Sequence, residues 1–498
     1  MRPTRWTAAA RRVASALLVS LVPLSLSGAA QGAGLYYADR GVRPLGRGGA
    51  FIAGADDPGA IAYNPAGLFD AGGQALIDGS WVNFSSDYTR QALVRQVDPN
   101  TGETTATYLR TFAPVEGTTP FLPIPTIAVA VRVDPQWVVG GGVWVPYAAL
   151  TTYPDAAPSG EPAPQRYSLL SLDGSALALI GLGAAYSPIP MLRVGANVGV
   201  LTGIFRSTVV FSGCVPERFF CAPEDPDWDV LAELNAGPIV APTGQVGATL
   251  IPHSKIRIGA SFQLPIWVRS GATIRNRMPR AAVFATASQE GEDADLGFEL
   301  PWSARLGVEA RPMDNLRVEV SGSYDGWGMH DAINVDPDGI ALKNVAGFPE
   351  RYYIPSIALE RGFQDSFSLH LGGEYGFSVA GFGLTARAGV SYDSSAVPRE
   401  RLSVLTIDGH KITPSVGVSL NVGPFRLDAT YARVIMPEVA VAAEEARIQQ
   451  VSPVQANPPE NPTYINGGIY NARANIIGLG ATFTFDPVAA AQPSAPAP

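Results

Sequence analysis

Apolar and polar side chains alternate along much of the chain, most clearly over residues 302–311. Leu306 and Val308 fall on one face of that stretch, whereas Arg305 and Glu309 fall on the other. Because successive side chains of a strand point to opposite faces, a strand in contact with lipid is apolar on one side and polar or small on the other. The alternation predicts amphipathic β-strands, and it recurs at 256–264, 316–321, 384–393, 425–431 and 476–485.

About fourteen strands are predicted in all, joined by connections that alternate between short and long. The predicted strands are 75–88, 121–133, 137–150, 166–187, 192–212, 236–251, 256–274, 294–311, 316–335, 364–378, 383–394, 409–422, 425–437 and 470–485. Short turns on one rim and long loops on the other are typical of outer-membrane proteins. The predicted fold is therefore all-β, a transmembrane antiparallel β-barrel over residues 73–486. A large soluble β protein is the alternative, because alternation alone does not separate the two.

The N-terminus has the order of an export signal. Four arginines within the first twelve residues precede an apolar run at 13–26 and small residues at 28–33. This order predicts a signal peptide over residues 1–32, cleaved before Ala33, with a membrane anchor as the alternative. Hydrophobic residues make up 46% of the chain and charged residues 16%, yet no later stretch has the roughly 18 uninterrupted apolar residues of a membrane helix. The predicted location is the outer membrane.

Residues 33–72 are rich in glycine and do not alternate, so they predict a separate N-terminal hatch. A barrel of this strand number is wider than the eight-stranded type that its own side chains fill, so a plug in the lumen is expected. A periplasmic tail is the alternative. Within the hatch, Asn64 and Pro65 restrict the backbone and with Ala66 are predicted to lock its entry into the first strand. At the other end of the chain, the Ala/Pro-rich tail 487–498 is predicted to be disordered.

Several hatch segments resemble the FadL family of outer-membrane transporters. They are Ala33-Gly34-Leu35, Gly46 to Ala50, Ala55 to Pro58 and Asn64 to Leu68, and the resemblance extends over 33–485. It implies a 14-stranded barrel around a hatch in which Leu35 and the Asn64 turn act in gating. It also implies passive uptake of a hydrophobic small molecule, such as a long-chain fatty acid or an aromatic hydrocarbon, with sideways exit at a kinked third strand. The family's Pro-Asp pair near the twelfth strand is absent from 406–411, so the substrate's identity is not carried over.

The third predicted strand contains three successive glycines, Gly140, Gly141 and Gly142, followed by Pro146. Glycines weaken a strand and favour a bulge, and proline removes a ladder donor. We therefore expect an inward kink and a lateral gap at Gly140–Gly142. The alternative is that these glycines only make room for the hatch.

Charged side chains on the polar faces are candidates for the lumen. They are Arg305, Glu309, Arg317, Glu319, His370, Arg387, Arg426 and Asp428. They suit interior ion pairs that anchor a hatch, and they also suit the constriction of a general porin, which is the alternative function. An outer-membrane hydrolase is disfavoured, because neither a Gly-x-Ser-x-Gly nor a His-Glu-x-x-His motif is present and His370 pairs more plausibly in a structural hydrogen bond. The protein is not predicted to be an enzyme.

Charge and cysteine content exclude some other partners. A net charge of −9 argues against nucleic acid, which needs a basic surface. Cys214 and Cys221 are the only cysteines, and in an exported chain their spacing favours a disulfide that closes a loop. Two free thiols or a metal pair are the alternatives. No cofactor and no metal are predicted, and a monomer surrounded by outer-membrane lipid is expected.

Overall fold

The computed structural model describes residues 41–98, 104–119, 123–147, 151–215, 221–222, 224–454 and 462–485. Fourteen antiparallel strands form a closed barrel. They are β1 Gln74–Val97, β2 Pro123–Asp134, β3 Trp137–Tyr147, β4 Ala176–Ile189, β5 Leu192–Ser212, β6 Asp229–His253, β7 Ile256–Gln263 with Ile266–Arg277, β8 Asp293–Leu300 with Ser303–Met313, β9 Leu316–Asp325 with Ala332–Pro337, β10 Ile357–Glu360 with Ser366–Val379, β11 Phe382–Asp393, β12 Lys411–Val422, β13 Phe425–Val434 and β14 Gly468–Thr484. The predicted signal peptide, Leu35 and the tail 487–498 lie outside the described residues.

Each strand pairs with the next along the chain, and the last strand closes the barrel against the first. Gln74 to Arg90 of β1 lie opposite Thr484 to Gly468 of β14. The predicted fold class and strand number are confirmed. In β4, however, the strand begins at Ala176 rather than 166, because the preceding residues turn back at Gly174, whose φ is +79°, and Leu169 is buried among the long loops.

The outer face of the barrel carries an apolar band between two aromatic belts. On the short-turn side Trp137 stacks on Tyr186, with ring centroids 4.5 Å apart. On the long-loop side Trp302 lies 5.6 Å from Tyr324. Residues between the belts, such as Leu306, are apolar and exposed. A lipid-facing band flanked by aromatic girdles is the arrangement expected of a membrane barrel.

Smaller elements cover the long-loop rim. They include the strands Thr104–Thr111, Val115–Thr118 and Val439–Val441, a sheet of Ser288–Glu290, Ala341–Lys343 and Arg351–Tyr353, and the 3-10 helices Pro226–Trp228, Ala282–Phe284, Trp327–Met329 and Arg399–Arg401. Cys214 and Cys221 form a disulfide in the loop between β5 and β6, as the spacing predicts. In the described part of the chain, no helix has the length and hydropathy needed to cross a membrane.

The described part of the hatch, from Gly41 to Gly73, lies inside the barrel. It contains the short helices α1 Val42–Gly46 and α2 Ala60–Tyr63 and a 3-10 helix Pro65–Phe69, all of whose residues are buried. Glycines in the wall let the hatch backbone approach closely. A β-carbon at Gly372 of β10 would lie 1.8 Å from the carbonyl oxygen of Arg47.

This contact predicts that a single methyl group on the wall loosens the hatch. Gly372→Ala should cost about 1–3 kcal/mol of packing strain and raise the single-channel conductance. Gly376→Ala is the matched control on the same strand, because its β-carbon would meet no heavy atom nearer than 3.9 Å. Equal conductance of the two variants would show that the close approach at Gly372 does not hold the hatch.

Candidate functional site: the plugged lumen and the cavity above it

Two hatch arginines are paired with carboxylates of the barrel wall. Arg43 Nη2 donates to Glu374 Oε1 at 2.7 Å, and Arg47 Nη2 donates to Glu309 Oε2 at 3.1 Å and to Glu319 Oε2 at 3.4 Å. Arg47, Glu309 and Glu319 are fully buried. Buried charges are tolerated only when they are paired and hydrogen-bonded, so these contacts fix the hatch to β8, β9 and β10.

Glu319 also accepts hydrogen bonds from the hatch backbone. The N–H groups of Ile52, Ala53 and Gly54 lie 2.6, 3.0 and 2.8 Å from its carboxylate oxygens. One wall carboxylate thereby satisfies three consecutive donors of an irregular segment that has no secondary structure of its own. Charge-assisted bonds of this kind are about twice as strong as neutral ones.

The hatch aspartates form the reverse set of pairs with wall arginines. Arg317 lies 2.7 Å from Asp56 and 2.8 Å from Glu309, and Arg426 lies 2.9 Å from Asp57. Burial alone would raise the pKa of Asp56, but Arg317 and Arg43 outweigh that effect and hold the pKa well below its ordinary value. Ion pairs between hatch and wall are therefore of both kinds: hatch arginines pair with wall carboxylates, and hatch aspartates pair with wall arginines.

The Asn64 turn is held by the opposite wall. Asn64 Nδ2 lies 2.9 Å from the carbonyl oxygen of Ile52 and 3.0 Å from Thr249 Oγ1, and Asn64 Oδ1 accepts from the Ala66 N–H at 3.2 Å. Pro65 opens the 3-10 helix, and Asn64 and Ala66 are fully buried. The turn is a docking element of the hatch, and its role in gating stays a prediction.

All eight charged or histidine candidates of the polar faces point into the lumen. His370 Nδ1 donates to the carbonyl oxygen of Gly48 at 2.8 Å, so it does not pair with Glu374. Arg387 bridges Glu374 and Asp428 at 3.0 and 2.8 Å, and Arg305 lies 3.3 Å from Gln263. The arrangement favours the anchoring interpretation of these charges over a porin constriction, because their partners are the hatch and each other.

Strand β3 differs from the prediction at its glycines. Gly140 lies opposite Ala130 of β2 and Gly183 of β4, and pairing continues through Gly141 and Gly142 on both sides. The ladder is thus continuous at the three glycines themselves. The register of β3 is irregular between Trp144 and Tyr147, around Pro146, and the pairing of β3 with β2 ends at Trp144. The predicted lateral gap beside β3 stays a prediction.

The alternative interpretation of these glycines agrees with the structure. A β-carbon at Gly140 would lie 3.2 Å from the side chain of Leu68 in the hatch. The glycine thus makes room for an apolar side chain of the plug.

Two cavities lie at the long-loop end of the barrel and share Phe211, Ile357 and Pro453 in their walls. The larger encloses about 1290 Å³, including space open to solvent, and has a mixed polar and apolar lining. The smaller encloses about 540 Å³ and is lined mostly by apolar side chains, Ile274 and Phe284 among them. The cavity with the mixed lining and the apolar cavity are therefore neighbours.

Arg361 lies in the wall of the larger cavity, between the two segments of β10. It is 4% exposed, and its guanidinium donates to Thr406 Oγ1 at 2.5 Å. Its Nε has no hydrogen-bond partner, and among the residues that the structure describes no carboxylate forms an ion pair with it. The neighbouring Glu360 pairs with Arg401 at 3.2 Å. Ser403, whose buried hydroxyl also lacks a partner, lines the same cavity.

The sequence prediction missed Arg43, Arg47 and Asp56 as anchors and missed Arg361 altogether. The signal for the first three was present, because charged residues inside a buried, glycine-rich plug must find partners of opposite charge. Nothing in the local pattern around Arg361 distinguishes it from a solvated loop arginine. Over the described ranges, no group of three or more His, Cys, Asp or Glu residues is placed to hold a metal ion.

Removing the charge of Glu319 should release the hatch. Glu319→Gln leaves Arg47 with Glu309 and the more distant Glu374, at 3.1 and 3.8 Å, and weakens three backbone contacts, a loss of about 3 kcal/mol. Single-channel conductance should rise, whereas Glu116→Gln, at an exposed carboxylate, should leave it unchanged. An unaltered conductance of Glu319→Gln would contradict the anchoring role.

The contribution of Asp56 to closure of the lumen should not depend on pH between 7 and 5. A carboxylate whose folded pKa is below its unfolded value of about 3.9 contributes stability above that value and loses it only as pH falls through the folded pKa. Asp56 therefore stays charged across this range, and Asp56→Asn should raise conductance equally at both pH values. An effect of Asp56→Asn that is present at pH 7 and absent at pH 5 would contradict the lowered pKa of Asp56.

Comparisons with known proteins agree with this architecture. Residues 23–485 match the family model described as outer membrane protein transport protein (OMPP1/FadL/TodX). A Pseudomonas aeruginosa FadL homologue shares the fold at 16% identity, with 91% of this chain and 100% of that chain covered and a TM-score of 0.66. The Ralstonia pickettii toluene transporter TbuX (16% identity, 90% and 98% covered, TM-score 0.55) and the P. putida toluene transporter TodX (16% identity, 88% and 99% covered, TM-score 0.57) share it as well.

The search of curated proteins returned no match. The family model nevertheless spans nearly all of the barrel and the whole described hatch. This chain belongs to the FadL/TodX family of outer-membrane transport proteins.

Proposed function

We propose that this protein takes up hydrophobic compounds that carry a carboxylate, long-chain fatty acids being the simplest example, by passive diffusion through the barrel. The observation that carries the proposal is Arg361 in the wall of a cavity, a buried guanidinium with which no carboxylate of the described ranges pairs. Leaving a buried guanidinium unpaired is costly in free energy. A ligand with an anionic group would form the ion pair that the protein itself does not provide.

The shape of the space supports an amphiphilic ligand. The carboxylate would lie at Arg361 and Ser403, and the tail would extend past Phe211 and Ile357 into the smaller apolar cavity. Aromatic hydrocarbons are the second candidate, favoured by the mostly apolar lining of that smaller cavity. No covalent chemistry is part of the proposal, and a porin for polar solutes is disfavoured because the charged lumen residues are engaged by the hatch.

A comparison of hexadecanoate with hexadecanol tests this proposal, because the two differ in charge and share their tail. Calorimetric titration of the purified protein should show tighter binding of hexadecanoate. Arg361→Gln should weaken hexadecanoate binding about tenfold or more, the equivalent of one charge-assisted hydrogen bond, and leave hexadecanol unchanged.

Arg401→Gln is the matched control, since Arg401 already pairs with Glu360 and is partly exposed. It should alter both affinities less than twofold. Equal affinity of the unaltered protein for the acid and the alcohol would contradict the proposal. Toluene that binds more tightly than hexadecanoate would favour the second candidate.

A further inference from the structure

Four polar side chains of the lumen lie in one row across neighbouring strands. Ser303 of β8 is paired with Gln263 of β7 on one side and with Asp325 of β9 on the other. Asp325 is paired in turn with Ser366 of β10. Residues opposite each other in an antiparallel ladder point to the same face, with their β-carbons about 5 Å apart. We call Gln263, Ser303, Asp325 and Ser366 the polar row.

Each member of the polar row is buried, and each has one polar atom that is not hydrogen-bonded. None of the four side chains is more than 6% exposed. Within the ranges that the structure describes, Gln263 Nε2, Ser303 Oγ, Asp325 Oδ1 and Ser366 Oγ have no hydrogen-bond partner. Buried polar atoms are almost always hydrogen-bonded, so four adjacent exceptions indicate that a bound group completes them.

The other polar atoms of Gln263 and Asp325 are engaged on the side of the hatch. Gln263 Oε1 accepts from Arg305 Nη2 at 3.3 Å, and Asp325 Oδ2 accepts from Ser323 Oγ at 3.4 Å. Arg305 and Ser323 each lie two residues nearer the short turns than the member of the row on their own strand. The amide nitrogen of Gln263 and the second carboxylate oxygen of Asp325 are therefore the atoms left for a ligand.

The polar row is the upper limit of the section that the hatch fills. Two residues below Gln263 on β7, Ser261 Oγ donates to the carbonyl oxygen of Tyr63 in the hatch at 2.7 Å. Above the row, Ile266 of β7 lies opposite Leu300 of β8, and both are fully buried. A solute that enters from the cavities at the long-loop end therefore meets the polar row before it meets the hatch.

A different sector of the wall carries a matching apolar row. Trp144 of β3 lies opposite Leu179 of β4, which lies opposite Leu201 of β5. All three are buried in the main hydrophobic cluster of the barrel. The lumen above the hatch thus offers hydrogen-bonding atoms on β7 to β10 and apolar side chains on β3 to β5, which suits a solute with one polar group and one apolar part.

The chemistry of the polar row selects a hydroxyl group. A hydroxyl both donates and accepts, so it can donate to Asp325 Oδ1 and accept from the hydroxyl of Ser303 or Ser366. A carboxylate only accepts, and it would lie beside the negative charge of Asp325, which repels it. An alkyl chain satisfies none of these atoms. The polar row therefore differs in its preference from Arg361, which suits an anion.

We propose that the polar row is a hydroxyl-binding subsite for neutral lipophiles such as long-chain alcohols. Asp325 accepts the hydrogen bond from the ligand hydroxyl, and the other members of the row donate to its oxygen. The alkyl part packs against the apolar side of the lumen. The proposal rests on the proposed function for the entry of a lipophile from the long-loop end, and it adds a second class of head group.

A comparison of hexadecanol with 1-methoxyhexadecane tests the contact with Asp325, because the ether oxygen accepts hydrogen bonds and donates none. The ether is also the more apolar of the two, so burial alone favours it. Calorimetric titration of the purified protein should show about tenfold tighter binding of the alcohol, the equivalent of one hydrogen bond to a charged group.

Two variants assign the effect to the row. Asp325→Leu should abolish the difference between alcohol and ether. Ser303→Ala with Ser366→Ala removes two donors with little change in volume, and it should weaken both ligands about tenfold. Asp336→Leu is the matched control, because Asp336 is exposed on the outer face of the same strand. It should change either affinity less than twofold. Heat-modifiable migration verifies that each variant is folded.

Equal affinity of the unaltered protein for the alcohol and the ether would overturn the subsite and leave the polar row to ordered water. A preference for the alcohol that persists in folded Asp325→Leu would overturn it as well. The proposed function is tested separately: Asp325→Leu should alter hexadecanoate binding less than twofold, and Arg361→Gln should leave the preference for the alcohol over the ether unchanged. An Arg361→Gln variant that binds hexadecanoate normally would contradict the carboxylate contact alone.

Discussion

Buried ion pairs between the hatch and the barrel wall are the interaction on which the rest of this structure depends. Arg47 has no solvent exposure and lies between Glu309 and Glu319, while Arg317 and Arg426 receive the hatch aspartates. Removing one partner of such a pair leaves an uncompensated charge and costs about 3–5 kcal/mol. The barrel therefore needs the hatch to neutralise its wall, and the hatch needs the wall to satisfy a backbone that has little secondary structure of its own.

This mutual dependence divides the lumen into two sections. The lower section is polar and filled, and its glycines bring hatch and wall into backbone contact, as at Gly372. The upper section is apolar, and a cavity with Arg361 in its wall lies at the long-loop end of the barrel. A hydrophobic solute is stable in the apolar upper section and unstable in the polar lower one. We therefore expect it to leave through the wall of the upper section.

Alternation predicts the strands and the lumen-facing charges, because the period of two is a local property of each strand, and the pattern of short and long connections is needed besides it to predict a membrane barrel. It could not identify the partners of those charges, since Arg47 and Glu309 are joined by contacts between distant parts of the chain. The β3 glycines allow two interpretations, because low strand propensity and room for a neighbour such as Leu68 look alike in one sequence. Burial passes from odd to even positions across Pro265, and the sequence does not show this, because even-numbered positions such as Phe262 and Ile266 are apolar on both sides of the proline.

The central claim is that solute leaves while the hatch stays in place. The hatch is continuous with β1 at one end, so tethering its other end fixes both. Val42→Cys with Gly478→Cys is suitable, because a β-carbon at Gly478 would lie 3.0 Å from a γ-carbon of Val42. The most direct measurement is the rate of hexadecanoate uptake by cells that carry this tether, oxidised and reduced, beside the unaltered protein. The account predicts equal rates in both states, and uptake that is lost on oxidation and restored on reduction would contradict it.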